Sequence, residues 1–108
     1  MSQLKITPWS PEQDPLRLAI LGKLAEEASE LAARASRCII HGLDQVDPDT
    51  GRLNSEELQR EAADVTACLL VIERSLQLQP MRARQQEKLN GYALWHQMIN
   101  KMRGKANG

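Results

Sequence analysis

Lys23–Ala35 reads KLAEEASELAARA, and Leu58–Val65 reads LQREAADV. Both predict helix, since Ala, Leu, Glu, Lys, Gln and Arg are the residues that lose least on entering one. Through and beyond the first stretch the apolar positions Leu21, Leu24, Ala28, Leu31, Ala35 and Ile39 recur at helical spacing. From the second stretch onward, Leu58, Ala62, Val65, Leu69, Ile72 and Leu76 do the same. Each set forms a stripe along one helix face. Two striped helices joined by a polar loop fix the class as all-α.

The flanking residues mark where these helices begin and end. Asp14 and Pro15 form a helix start: an aspartate caps and a proline suits the first turn. Gly42, after His41, suits a helix end. The loop LDQVDPDTGRL (Leu43–Leu53) carries Pro48 and Gly51 and reads as a turn. Its DPDTG is not a calcium loop, because the twelfth position from Asp47 is Leu58 rather than glutamate. Asn54 and Glu57 have capping-box spacing at the start of the second helix. Pro80 ends that helical pattern. A third helical region runs from about Met81 to Met102, with Leu89, Tyr92, Trp95, Ile99 and Met102 on one side. Gly91 marks a kink or break within it. Residues 1–13 read as an irregular arm with Trp9 packed on the first helix, and 103–108 as a frayed tail. No strand pattern is present. The expected architecture is one domain over residues 1–108. It is a helical bundle of two long antiparallel helices plus a C-terminal helical region, completed by oligomerisation.

Composition narrows the function classes. Phe is absent and aromatics make up 3% of 108 residues, so small aliphatic side chains must build any core. A chain this short buries only about two-thirds of its unfolded surface, which favours pairing with further copies. The formal net charge is zero. Residues 1–80 hold 8 Lys and Arg against 13 Asp and Glu, whereas residues 81–108 hold 6 against 1. Six cations over that length fit a segment returning to an acidic core as well as they fit a nucleic-acid tail, so no stable nucleic-acid binding is expected. Cys38 and Cys68 lie in apolar helical stretches with no CxxC, and read as buried, reduced thiols. The N-terminus shows no signal pattern and no run is long enough to span a membrane. The expected location is the cytoplasm.

The acids carry the chemical signal. The two stretches align as L-x-x-E-A-x-[E/D]-[L/V], 34 residues apart. At 100° per residue, with Leu24 or Leu58 at the origin, Glu27 and Glu61 fall at about 300°, and Glu30 and Asp64 at about 240°. Each helix thus sets an acidic pair at the same edge of its apolar stripe. Packed antiparallel, the four could converge. Two unit charges about 4 Å apart cost about 1 kcal/mol in water and about 4 kcal/mol at an effective dielectric of 20. A converged set needs a counter-charge. Lys23 and Arg34 lie near the same edge and could neutralise the first pair; a hard cation such as Mg²⁺, Mn²⁺ or Ca²⁺ is the other solution. The period of 34 is not a tetratricopeptide array, whose Trp, Leu-Gly and Tyr signature is missing.

EEASE (Glu26–Glu30) followed by EAAD (Glu61–Asp64) resembles the E-E-x-x-E and E-x-x-D motifs of the MazG-like all-α NTP pyrophosphatases, over about half the chain, Leu18 to Arg74. The resemblance implies hydrolysis of (deoxy)nucleoside triphosphates between the α and β phosphates, yielding a monophosphate and pyrophosphate. It implies Mg²⁺, with Mn²⁺ able to substitute, held by Glu27, Glu30, Glu61 and Asp64. Glu26, the extra acid of the first motif, would orient a water or stand behind the metal ligands. Lys88 and Asn90 in EKLNGY, with Arg84, would hold phosphates. The family assembles as homodimers or homotetramers. Two rivals remain. A di-iron carboxylate bundle needs E-x-x-H, and the i+3 partners here are Glu30 and Asp64. A non-enzymatic helical adaptor would keep the acids as solvated charge and offer its basic C-terminal segment to a partner.

Overall fold

The computed structural model describes residues 8–107. It holds α1 (Pro15–His41), α2 (Asn54–Ser75) and α3 (Arg82–Asn107), and no strand among the described residues. The fold is all-α. The chain divides into two compact units, Met1–Leu78 with α1 and α2, and Gln79–Gly108 with α3.

The start of α1 follows its local chemistry. The Asp14 carboxylate accepts from the Arg17 backbone N–H at 2.9 Å, and Pro15 opens the first turn. At the other end Gly42 sits at φ 97° and its N–H reaches the Cys38 carbonyl at 3.0 Å. That left-handed backbone is why a glycine stands there. The loop then folds into a tight hairpin-like turn. Val46 and Leu53 pair as an isolated antiparallel bridge. The Gly51 N–H donates to the Asp47 carbonyl at 2.8 Å, and the Asp49 N–H donates to the Asp47 carboxylate at 2.8 Å.

The capping box at Asn54 and Glu57 does not form. Leu53 precedes the helix and offers no side-chain cap. The first N–H groups of α2 go instead to loop carbonyls, Asn54 to Gln45 at 2.8 Å and Ser55 to Leu43 at 2.9 Å. The Asn54 carboxamide turns back and donates to the Gly42 carbonyl at 2.8 Å. The Glu57 carboxylate is drawn away by arginines, since a charged donor is a stronger partner than a helix-terminal amide.

α1 and α2 pack as antiparallel neighbours: Leu21 near the start of α1 lies beside Leu76 past the end of α2, and Arg34 near the end of α1 reaches Glu57 near the start of α2. The seam is shallow. Leu24, Leu31, Leu58, Val65 and Ile72 are half-buried, and no hydrophobic side chain among the described residues is fully buried. This corrects the expectation of an aliphatic core. Cys38 and Cys68 are free but only half-buried. Trp9, expected to be packed on α1, is 86% exposed.

α3 departs from the sequence reading at both marked points. It runs through Gly91 without a break, and it continues past Met102 to Asn107. Residues 1–7 of the expected irregular arm, and Gly108, lie outside the described residues.

Candidate metal centre on the helix seam

In the antiparallel seam, Glu27 of α1 lies at the level of Asp64 of α2, Glu30 at the level of Glu61, and Arg34 at the level of Glu57. Oxygens of Glu27, Glu61 and Asp64 lie within 4.8 Å of one another. Glu27 and Glu61 are half-buried and Asp64 is exposed. One carboxylate oxygen on each of Glu27 and Glu61 is buried without a hydrogen-bond partner. A buried, unpaired carboxylate oxygen is an energetic liability that a bound cation or proton removes.

The electrostatics follow from that packing. Burial raises the Glu27 carboxyl above its ordinary range, and the Glu30 and Asp64 charges push it further. Burial likewise leads the rise at Glu61, again with Glu30 and Asp64 adding. Glu30 is exposed and stands beside the three converging acids, acting on both through its charge.

The neighbouring cations do not neutralise the cluster directly. Lys23 pairs with Glu26 at 3.3 Å, and that hydrogen bond is the main cause of its raised pKa. Glu26 is therefore an exposed, lysine-bound acid one residue before the cluster. Arg34, which the sequence offered as a neutraliser of the first acidic pair, turns to Asp47 at 2.7 Å and Glu57 at 3.6 Å. Its hydrogen bond holds the Asp47 carboxyl below the ordinary range, with the Asp49 N–H assisting. Arg52 bonds Glu57 and is the main cause of that carboxyl's lowered pKa. Arg34, Asp47, Asn54 and Glu57 are the buried residues of the described chain, and all are polar. This cluster was missed from sequence. Its signals were Arg34 at the edge of the first stripe and Glu57 at about 260° on the same edge of the second, but the capping-box spacing of Glu57 pointed elsewhere.

One turn beyond the acids, at the far side from Arg34, an apolar groove of about 280 Å³ is lined by Ile20, Lys23, Cys68 and Val71 among others. On α3, Arg84 pairs with Glu87 at 3.1 Å and Asn90 accepts from Gln86 at 2.9 Å. Lys88 shares an open hollow of about 470 Å³ with Arg84, Tyr92 and Trp95. Tyr92 and Trp95 are about half exposed, and the Trp95 ring lies 5.5 Å from that of His96. No helix among the described residues is long and apolar enough to cross a membrane. No family model, curated protein or solved structure matches the chain.

The donor set fits a hard divalent cation. It is all carboxylate oxygen, supplied by two rigid helices, with two oxygens that lack any other partner. It offers no histidine or thiolate for a softer metal.

Proposed function

We propose that the chain is a Mg²⁺-dependent nucleoside triphosphate pyrophosphohydrolase, acting on (deoxy)nucleoside triphosphates at the α–β phosphoanhydride. The observation that carries the reading is the convergence of Glu27, Glu61 and Asp64 with two buried oxygens left unpaired. Those three residues, with Glu30 at their edge, would hold Mg²⁺, and Mn²⁺ would substitute. The bound ion would neutralise phosphate charge and activate water. In the overall reaction water adds to phosphorus, the bridging P–O bond breaks, and the triphosphate leaves as monophosphate and pyrophosphate. No side-chain nucleophile is required. The helices' part is to hold the carboxylates in place, and Glu26 is assigned to water orientation. Lys88, Asn90 and Arg84 are assigned to phosphate binding.

The chain is proposed to work as a homodimer or homotetramer in the cytoplasm. Support comes from the apolar residues that the described chain leaves uncovered, among them Leu18, Leu21, Ile39, Ile40, Leu69 and Leu70.

The test is pyrophosphate release from a panel of NTPs and dNTPs with Mg²⁺. Wild type should release it. Glu61→Gln, which keeps size and removes the charge, should lose at least about a hundredfold, the scale of removing a group that stabilises transition-state charge, while helical circular dichroism persists. Undiminished release by Glu61→Gln would remove the ligand assignment. Silence on every nucleotide would favour the adaptor reading, which the exposed Leu89, Leu94, Met98 and Met102 of the cation-rich α3 support.

A further inference from the structure

The seam presents a mechanical problem. Three carboxylates repel across an interface whose hydrophobic side chains are, among the described residues, at most half-buried. Helices so joined can relieve the repulsion by sliding or splaying. A one-turn slip is only about 5.4 Å. Something else must hold the register.

The buried polar cluster stands where that hold is needed. Arg34 lies two turns after Glu27, and Glu57 lies two turns before Asp64. The Arg34–Glu57 level and the Glu27–Asp64 level are therefore two rungs of one ladder. At the Arg34 rung the residue is 8% exposed; its guanidinium donates to Asp47 of the loop at 2.7 Å and forms an ion pair with Glu57 of α2 at 3.6 Å. Arg52 closes onto Glu57 from the loop. Asn54 ties the start of α2 to the end of α1 through the Gly42 carbonyl, and the Cys38 thiol donates to the Asn54 carbonyl at 3.7 Å. Arg34 and Arg52 balance Asp47 and Glu57, so the cluster satisfies its own charge. None of its ion pairs goes to Glu27, Glu61 or Asp64, which stay open to a cation.

We propose that Arg34, bridged to Glu57 and Asp47, is the positioning residue of the carboxylate site: an ionic pin that sets the α1/α2 register and so holds Glu27, Glu61 and Asp64 together. The inference rests on the metal reading above for its purpose, but the pin itself is a statement about helix register. A planar guanidinium suits the task, since it can bond two carboxylates at once where an ammonium offers a point charge.

The experiment reads register and metal separately. Spin labels are placed at Ala33→Cys and Ala63→Cys, on exposed positions of α1 and α2, in a Cys38→Ser, Cys68→Ala background. Labelled chain is diluted with unlabelled chain, and the interhelix distance distribution is measured by electron paramagnetic resonance. Mn²⁺ alone is titrated into the same proteins without labels. Arg34→Met should keep its helical circular dichroism, broaden the distance distribution, and weaken Mn²⁺ binding by about tenfold or more, the scale seen when a supporting group behind a metal ligand is removed. Arg34→Lys should recover part of both. Ile20→Ala, which weakens the seam at its other end, should lower the melting temperature yet leave Mn²⁺ affinity alone. Glu57→Gln serves as the milder variant should Arg34→Met fail to fold, and it should shift both readouts in the same direction. An unchanged distance distribution in Arg34→Met, or in Glu57→Gln if that is the folded variant, overturns the pin. So does an equal loss of Mn²⁺ affinity in Ile20→Ala. If wild type takes up no Mn²⁺, the metal reading falls while the distance distributions still decide the pin.

Discussion

Two carboxyls on the helix seam and two at the buried arginine cluster are shifted in opposite directions. Glu27 and Glu61 have raised pKa values, led by burial and then by the charges of Glu30 and Asp64. The stability such groups contribute is present below their unfolded values and is lost as pH rises through their folded values. Asp47 and Glu57 are lowered by hydrogen bonds from Arg34 and Arg52. Their contribution is present above the unfolded carboxylate range and is lost as pH falls through their depressed folded values. The metal-free protein should therefore melt at a higher temperature as pH falls through the raised values of Glu27 and Glu61, and at a lower one as it falls further through the depressed values of Asp47 and Glu57. Calorimetry in a chelator checks this, and Glu61→Gln should flatten the rise. A melting temperature that only declines from neutrality downward would contradict the assignment. The acidic pairs themselves were legible in the sequence, because stripe-edge angles need only helical periodicity. Arg34's partners were not. Its choice of Asp47 and Glu57 over Glu27 depends on where a loop returns, and spacing along one helix does not encode that.

At the scale of the element, the helix starts and stops show which local signals win. Asp14, Pro15 and Gly42 act as their types require, because nothing tertiary competes for them. Asn54 and Glu57 have the right spacing for a capping box, yet buried partners across the hairpin outbid the cap. At the end of α3 the helix runs through Gly104 into the stretch expected to fray. A glycine's cost in a helix is only about 1 kcal/mol, and Lys105 in the last turn suits the negative end of the helix dipole. These differences separate two kinds of glycine. Gly22 and Gly91 lie inside helices, and a methyl group at either would meet nothing within 4 Å. Gly22→Ala and Gly91→Ala should each stabilise by about 0.5–1 kcal/mol, measured by urea unfolding. Gly42→Ala should destabilise by about 1 kcal/mol or more, since it forces a side chain into positive φ and brings its Cβ within 3.0 Å of the Gln45 side chain. Equal effects at all three positions would show that backbone conformation at Gly42 is not the constraint.

For the whole molecule, the fold class followed from periodicity alone, whereas the location of the core did not. The stripes of α1 and α2 meet only in part: Leu24, Leu31, Leu58, Val65 and Ile72 are half-buried, whereas Leu21, Ile39 and Leu69 of the same stripes are exposed, as are Leu18 and Leu70 beside them. Periodicity reports which face is apolar and not what will cover it. If further copies cover these faces, folding and association are linked by mass action. The melting temperature should then rise with protein concentration, and sedimentation should show a species larger than 12.1 kDa. Melting that is independent of concentration, with a monomer in the ultracentrifuge, would exclude that assembly.

The polar composition of the buried set also governs how this sequence can drift. Half-buried Leu, Ile and Val positions on the seam can exchange among aliphatic types at small cost, since volume-conserving swaps are the best tolerated. Arg34, Asp47 and Glu57 have no such freedom, because losing one leaves a buried charge without its partner. Evolution can remove them together or keep them together. In any lineage descended from this chain the three should therefore be inherited as one character, and a single-residue replacement among them should be the rarest change on the seam.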